Sequence, residues 1–117
     1  MKKQLQRINL AEILRNGGAT LNENGETVNF SNGYQVSKKD CYKLKVKNIN
    51  AITKAIYNLL KGIKKGEFVG LWCESGYCYI DISEHEKSIK KALRLGKARK
   101  QISIFEWETA KCIYCNA

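Results

Sequence analysis

YKLKVKNINAITKAIYNLLKGI, residues 42–63, contains the change of hydrophobic period that decides the fold. Over residues 42–47 apolar residues and lysines alternate strictly, which is the period of two that a half-buried strand requires. From Ile49 onward the apolar residues recur at helical spacing and form one stripe that ends at Ile63. The stretch therefore predicts a strand that is followed at once by an amphipathic helix.

A hairpin is predicted directly after this helix. Residues 68–73 and 77–82 are rich in aromatic and aliphatic side chains, and the turn-forming triplet Glu74-Ser75-Gly76 separates them. Ser83 is followed three residues later by Glu86, which is the spacing of a capping box. A second helix is therefore expected to begin at Ser83 and to end at Gly96, or to continue as a Lys/Arg-rich turn to Lys100.

Shorter elements are predicted near both ends of the chain. Residues 8–15 are expected to form a helix that Asn9 caps and Gly17-Gly18 ends. Asn24-Gly25 predicts a hairpin turn, because both central turn residues need positive φ, with residues 27–30 as its second strand. Further strands are expected over 34–36, 102–107 and 112–115, the last two joined by a turn at Thr109-Ala110.

The order of these elements predicts an α+β fold, with an antiparallel or mixed sheet of hairpins and two to three helices packed on one face. A chain of 117 residues is expected to form a single domain over 1–117, with a possible sub-boundary near 62–67. No stretch approaches the roughly 20 apolar residues that span a bilayer. No apolar segment follows the N-terminal Met-Lys-Lys, so a cytoplasmic protein without a membrane partner is expected. Edge strands near both ends allow a homodimer.

Charge is sorted into blocks along the chain. Residues 37–66 carry nine Lys and one Asp, residues 67–86 carry five acids and no Lys or Arg, and residues 87–100 carry seven Lys or Arg and no acid. The formal net charge is +10. Two basic blocks repel themselves unless a polyanion or an acidic partner relieves the repulsion. A nucleic acid, a nucleoprotein complex or an acidic protein surface is therefore the expected partner.

Two basic surfaces follow from the predicted elements. One is a ridge on the alternating strand with the two lysines just upstream, and the other is the exposed side of the helix after Ser83 with the cations that follow it. Contacts between the cations of these surfaces and nucleic-acid phosphates would give affinity and salt dependence but little sequence preference. The candidate binding residues are Lys38, Lys39, Lys43, Lys45, Lys47, Lys87, Lys90, Lys91, Arg94, Lys97, Arg99 and Lys100.

Aromatic side chains could add base stacking to these contacts. Tyr77 and Tyr79 share one face of their predicted strand, whereas Cys78 and Ile80 share the other. If the tyrosine face is exposed, it forms a stacking platform. The sequence leaves open which of the two faces is buried.

The residues that could carry catalysis or bind metal lack a decisive pattern. Cys112-x-x-Cys115 together with Cys73 and Cys78 could supply four zinc ligands, but the spacing matches no zinc signature. His85 is the only histidine, and a structural role is expected for it on the helix after Ser83. Scattered acids could hold Mg²⁺ in a nuclease-like site, the candidates being Glu74, Asp81, Glu84, Glu86, Glu106 and Glu108. We expect a non-enzymatic protein without a metal or a cofactor.

Five short stretches resemble accessory proteins of bacteriophages and mobile elements. They are residues 29–37, 69–72, 77–83, 92–97 and 101–107, and together they place the resemblance over about residues 19–107. In such proteins a Gly-Trp hairpin, a helix ending near Gly-Lys and a final strand led by Gln recur. The resemblance implies an anti-defence protein in the cytoplasm of a bacterial host, such as one of the anti-CRISPR type.

The expected function is therefore to inhibit or modulate a host defence nucleoprotein, such as a CRISPR or restriction complex, through the basic surfaces. Many such inhibitors are acidic mimics of DNA, whereas this chain is strongly basic. Its charge favours contact with guide RNA, target DNA or an acidic protein surface. Two alternatives stay open, namely a protein that sequesters a nucleotide signal and a Mg²⁺-dependent nuclease.

Overall fold

The structure is a computed structural model that describes residues 8–115. Within this part of the chain six strands form one curled antiparallel sheet, in the order β1-β3-β4-β2-β5-β6, and three helices pack on it. This arrangement confirms the predicted α+β fold. The elements are α1 (Leu10–Asn16), β1 (Gly18–Leu21), β2 (Tyr34–Lys45), α2 (Ile49–Gly62), β3 (Phe68–Glu74), β4 (Tyr77–Glu86), α3 (Ile89–Ala98), β5 (Ser103–Glu106) and β6 (Lys111–Tyr114).

All three helices cover the same face of the sheet. α1 and α2 bury their apolar stripes against β1, β3 and β4, where Ile56 of α2 joins Leu71 and Ile80 in one core cluster. α3 packs Ala92 against Val36 of β2 in a second cluster. The strand register puts Val36 on the same side of the sheet as Ile80. Within residues 8–115 no helix therefore packs on the opposite face of the sheet.

The longest pairing in the sheet joins β2 to β4, from Tyr34 opposite Glu86 to Lys45 opposite Tyr77. The predicted strands over 34–36 and 42–47 are the two ends of this one strand. Its register is irregular at two places, between Ser37 and Lys39 and between Asp40 and Tyr42. The predicted alternation is confirmed, because Tyr42 and Leu44 pack on the core while the lysines between them are exposed.

The first two helices form where the sequence predicts them. Asn9 caps α1 by accepting a hydrogen bond from the Glu12 backbone N–H, and Gly17 ends the helix in a left-handed conformation. Asn48 caps α2 in the same way through the Ala51 N–H. The β3–β4 hairpin is confirmed as well, with Ser75 and Gly76 both at positive φ, as a two-residue turn of the type I′ class requires.

The predicted helix start at Ser83 is wrong. β4 continues to Glu86, and Ser83 lies opposite Ser37 of β2 with its hydroxyl accepting a hydrogen bond from Gln35. The partner strand satisfies the backbone hydrogen-bonding groups here. Pairing in the sheet therefore outweighs the local capping motif. α3 begins at Ile89 instead, and Ser88 caps it through the Lys91 N–H.

The predicted second strand over residues 27–30 is also wrong. Only an isolated bridge joins Thr27 to Leu21. The Asn22 side chain organises the loop, because its carbonyl oxygen accepts hydrogen bonds from the backbone N–H groups of Asn24 and Glu26. Such side-chain contacts replace the ladder of a regular hairpin.

The sheet is continuous across the possible sub-boundary at residues 62–67, because β2 precedes this segment and pairs with β4, which follows it. Among the helices of the described part, none has the length and apolar character to cross a membrane.

The close approach of α3 to the sheet depends on Gly96. A methyl group at this position would lie 2.6 Å from Cys115 Sγ and 3.2 Å from Ile104 Cγ2. We expect Gly96→Ala to lower the free energy of unfolding by about 1–3 kcal/mol, because it overpacks the second core cluster. Urea denaturation measures this change.

The matched control is Gly62→Ala, at a helical glycine with nothing within 4 Å of the added methyl group. It should leave stability unchanged or raise it by up to about 1 kcal/mol. Equal effects of the two substitutions would contradict the packing of α3 described above.

Candidate nucleic-acid interface

The face of the sheet opposite the helices, hereafter the open face, carries large aromatic side chains. Phe30 of the loop between β1 and β2 covers part of this face, where it packs on the rings of Phe68 and His85. The register sets Trp72 of β3 opposite Tyr79 of β4, and both point away from the helices. Trp72 is 52% exposed and Tyr79 is 39% exposed. Cys78 and Ile80, which alternate with the tyrosines, are fully buried in the core. The tyrosine face of β4 is therefore the exposed one, which the sequence left undecided.

Two of the predicted lysines lie on the same face. Lys43 and Lys45 of β2 stand opposite Tyr79 and Tyr77 in the register. The Lys43 Nζ lies 4.6 Å from the ring centroid of Tyr77 and 5.7 Å from that of Tyr79. These distances are those of cation–π contacts, which hold the ammonium group beside the exposed rings.

A cavity of about 410 Å³ opens beside this aromatic pair, where the curled sheet brings β3, β4, β2 and β5 around one hollow. Trp72 and Tyr79 border it on one side, and Phe105 and Trp107 border it on the other. Among the described residues that line this cavity, Asp81 is the only charged side chain. Its size is within the range of pockets that hold small molecules, roughly 300–1,000 Å³.

Asp81 lies at the base of the cavity opposite Gly70 of β3. A side chain at Gly70 would overlap the carboxylate oxygen Oδ1, so the bare glycine makes room for the carboxyl group. Burial raises the pKa of Asp81 to about 6, and the neighbouring Asp40 adds to the rise. Hydrogen bonds from Ser37 and from the Gly70 backbone oppose the rise without cancelling it.

A hydrogen-bonded chain fixes the wall next to Asp81. Gln35 is buried, and its amide nitrogen donates to Ser83 Oγ at 2.9 Å. Its amide oxygen accepts from Trp107 Nε1 at 3.0 Å. Both ends of the Gln35 side chain are thus paired, which holds the Trp107 ring in place at the cavity edge.

A second hollow of about 520 Å³, hereafter the lysine cleft, adjoins the cavity. It exists because β2 pairs with β5 only at Tyr34 and Gln35, beyond which the two strands separate. Lys43 and Lys100 line the cleft, and Tyr79 and Asp81 border both hollows. A ligand that fills both hollows would meet aromatic and acidic groups at one end and ammonium groups at the other.

The predicted strand ridge is shorter than the sequence suggested. The register irregularities interrupt it upstream of Lys43, and Lys38 forms an ion pair with Glu67 at 2.9 Å. This pairing lowers the pKa of Glu67, with a hydrogen bond from the Lys64 backbone as a further cause. Lys39 is exposed, and Lys47 lies in the turn after β2.

The second set of predicted cations lies on the helix side of the sheet. Lys87 precedes α3 because β4 is longer than predicted, and the exposed side chains on α3 are Lys90, Lys91, Arg94 and Lys97. Lys91 pairs with Glu86 at 3.5 Å. Arg99 pairs with Glu84 and donates to the Ser37 carbonyl. Acids of the intervening block therefore neutralise part of this group.

The two basic surfaces do not merge. Lys43 and Lys45 lie on the open face, whereas α3 covers the opposite face of the same sheet. Lys100 follows α3 and lines the lysine cleft on the open side. Of the predicted cations, the structure thus brings Lys43, Lys45 and Lys100 near the exposed aromatic rings.

The two cysteine pairs of the suggested zinc set lie in different parts of the fold. Cys73 and Cys78 are cross-strand neighbours, and burial, with Cys73 as a further cause, raises the pKa of the Cys78 thiol to about 12. Cys112 is exposed on β6, whereas Cys115 is buried against α3. Within residues 8–115, no three or more His, Cys, Asp or Glu side chains come together as a metal-binding group.

The predicted location of His85 on a helix is wrong, because the residue lies in β4. Its ring stacks on Phe30 with centroids 3.9 Å apart, and its Nε2 is 2.9 Å from the Asn32 carbonyl oxygen. The suggested helix positions of Glu84 and Glu86 are wrong for the same reason. Their side chains lie on the helix-covered face, away from Asp81.

Comparison with models of protein families, with curated proteins and with solved structures finds no match for this chain. The resemblance to phage accessory proteins therefore stays a prediction.

Sequence reasoning missed the cavity. The sequence pattern does not distinguish Asp81 from the other candidate acids, and it gives no signal for Gln35. The available signal was an acid between Ile80 and Ile82 in a strand, opposite a glycine in the partner strand. That pattern indicates an acid in a sheet interior with free space beside it.

Asp81→Asn should stabilise the fold at neutral pH. A rise in the pKa from 3.8 to about 6 means that the folded state binds the proton more tightly, so the ionised carboxylate costs about 3 kcal/mol above pH 7. The stability of the native protein should accordingly fall as pH rises from about 4 to 6.

Urea denaturation of both proteins across pH 4–8 measures this difference. The advantage of the variant should be largest above pH 7 and should shrink toward pH 4. A stability advantage of the variant that stays constant with pH, or a lower stability of the variant at pH 8, would show that burial does not destabilise the ionised carboxylate.

Proposed function

We propose that this protein binds single-stranded nucleic acid across the open face of its sheet. The observation that carries the proposal is the exposed cross-strand pair of Trp72 and Tyr79 with the Lys43 ammonium group beside it. Exposed aromatic rings stack on bases, and flanking cations contact the backbone between them.

The pair of Trp72 and Tyr79 supports the proposal of a binding surface independently of the charge. Single exposed apolar side chains are common on protein surfaces, but adjacent large rings on an uncovered sheet face are typical of binding sites. Stacking of a base on an aromatic ring contributes about 1–3 kcal/mol and tolerates any base.

The charge of the protein supports a polyanionic partner. The formal net charge is +10, and seventeen of the 21 basic residues are Lys. The Lys ammonium group binds phosphate as a point charge, whereas bidentate hydrogen bonds to base edges in a duplex are typical of Arg. Lys43, Lys45 and Lys100 would neutralise the phosphates nearest to the aromatic rings.

A single strand fits the open face better than a duplex. In a duplex the base faces are stacked on one another and cannot meet protein rings, whereas a single strand can splay its bases onto a sheet. The cavity beside Trp72 and Tyr79 offers depth for such a splayed base.

The anti-defence role would use this same surface. The guide RNA or the displaced DNA strand of a host complex is a single-stranded target of the required kind. This role and its bacterial setting rest on the sequence resemblance. A pull-down from host lysate with and without nuclease treatment separates nucleic-acid partners from protein partners, because capture through nucleic acid should disappear after the treatment.

Removal of the stacking rings should weaken binding. We expect Trp72→Ala and Tyr79→Ala each to reduce affinity for a dye-labelled single-stranded dodecamer, with a loss of about 1–3 kcal/mol. Fluorescence anisotropy measures the dissociation constants. The control is Tyr114→Ala, which removes an exposed ring from the edge strand β6. If the control weakens binding as much as the other two variants, the open-face rings are not the specific contact.

The two basic surfaces can be separated by paired variants of equal charge. Lys43→Ser/Lys45→Ser should reduce the salt dependence of binding to single strands, with a slope lower by about 1.4 if each lysine contacts one phosphate. Lys90→Ser/Lys97→Ser on α3 should leave this slope nearly unchanged. The reverse result would move the contact to the helix side of the sheet.

A further inference from the structure

Asp81 is out of place on a surface that attracts phosphates. A carboxylate repels the backbone of a nucleic acid, yet this one lies at the base of the cavity between the aromatic walls. Gly70 opposite it leaves the carboxyl group uncovered by any neighbouring side chain of β3. From such a position the carboxylate can favour binding only by accepting hydrogen bonds from a base.

We propose that the cavity holds one guanine base of the bound strand, with the Watson–Crick edge of the base on the Asp81 carboxylate. This inference rests on the proposed function, because it describes how the same surface selects one base. It adds a base preference to a mode of binding that is otherwise tolerant of sequence.

The geometry of the strands supports this placement. Side chains two residues apart on one strand face are about 7 Å apart, so Tyr79 and Asp81 are spaced as a ring to stack on and a group to meet the base edge. Trp72 and Gly70 repeat the spacing on β3. A base stacked beside Trp72 or Tyr79 would therefore direct its edge at the carboxylate, which lies over Gly70.

The hydrogen-bond pattern of the four bases selects guanine. An ionised carboxylate offers two acceptors, and guanine presents two adjacent donors on its Watson–Crick edge, at N1 and N2. Adenine and cytosine each present one donor next to one acceptor. Thymine and uracil present one donor between two acceptors. Only guanine can give the carboxylate two hydrogen bonds without placing an acceptor against it.

The lysine cleft gives the nucleotide an orientation. Lys43 and Lys100 line this cleft, and Tyr79 and Asp81 border both hollows. The phosphate of the nucleotide would lie at the ammonium groups, and the base would lie at the carboxylate. The two ammonium groups would offset the repulsion of this phosphate by Asp81 and by Asp40, which also lines the cleft.

The preference should depend on pH through Asp81, whose pKa burial raises to about 6. A protonated carboxyl group presents one donor and one acceptor, which matches adenine or cytosine instead of guanine. The charged and titratable groups that face Asp81 are Asp40, Cys41, Lys43 and Lys100 from β2 and the segment before β5, and Tyr79 from its own strand. Gly70 on β3 contributes only a backbone hydrogen bond.

Nine-residue DNA strands of thymine with one variable central base test the inference by fluorescence anisotropy. At pH 8 we expect the guanine strand to bind about tenfold more tightly than the all-thymine strand, in the range of a good bidentate contact. At pH 5 the ratio of the two affinities should fall to less than about twofold. A ratio is used because the greater positive charge at low pH strengthens the binding of all strands.

Asp81→Asn is the decisive variant, since an amide presents one donor and one acceptor at every pH. At pH 8 it should bind the adenine or cytosine strand at least as well as the guanine strand, with no change of preference down to pH 5. The matched control, Glu108→Gln, removes one exposed acid from the β5–β6 turn and should keep the guanine preference and its pH dependence.

The outcomes distinguish the two proposals. Binding of all strands with equal affinity, or a guanine preference that survives in Asp81→Asn, overturns the guanine site and leaves the proposed function standing. Failure of every strand to bind the native protein overturns the proposed function itself. Because Asp81→Asn is expected to be more stable than the native protein, a folding defect would not account for its altered preference.

Discussion

The antiparallel pairing of β2 with β4 is the constraint on which the rest of the structure depends. These two strands run through the middle of the sheet, and both core clusters form on one side of them. Their register decides that Ile80 and Val36 face the helices and that Tyr79 and Lys43 face outward. A slip by one residue would exchange these two sets of side chains, burying the lysines and exposing the core. The hydrophobic core and the candidate interface are therefore specified by the same pairing.

The open face combines features that reduce stability. Two large rings remain exposed, the sheet has an uncovered hollow, and an acid is held where burial raises its pKa. A sequence under selection for stability alone would place a neutral residue opposite Gly70. The cost of the Asp81 carboxylate is concentrated at the cavity, whereas the helix-covered face is packed with ordinary aliphatic side chains. This contrast between the two faces supports the proposal that the open face is the binding surface.

Much of the fold could be predicted from the sequence because local and tertiary preferences agree. In residues 42–63 the alternation, the Asn48 cap and the helical stripe all favour the observed elements. The prediction failed at Ser83, where a local capping motif competes with a partner strand 48 residues away in sequence, at Gln35. The cavity could not be predicted, since it arises from strand order and curl. The sequence places Trp72, Tyr79 and Asp81 on strands, but only the sheet makes them neighbours.

The charge blocks of the sequence do not become charge patches of equal strength. The acidic block lies between the two basic ones in the chain, and three of its acids form ion pairs with Lys38, Lys91 and Arg99. Exposed pairs of this kind add little stability, but they reduce the local field. The cations that stay exposed on α3 raise the long-range potential that attracts a polyanion, and this effect decays within about 8 Å at physiological salt. The few lysines beside the aromatic rings would then make the close contacts to the polyanion. In the proposed function the net charge would attract the nucleic acid, and the location of Lys43 and Lys100 would decide where the strand lies.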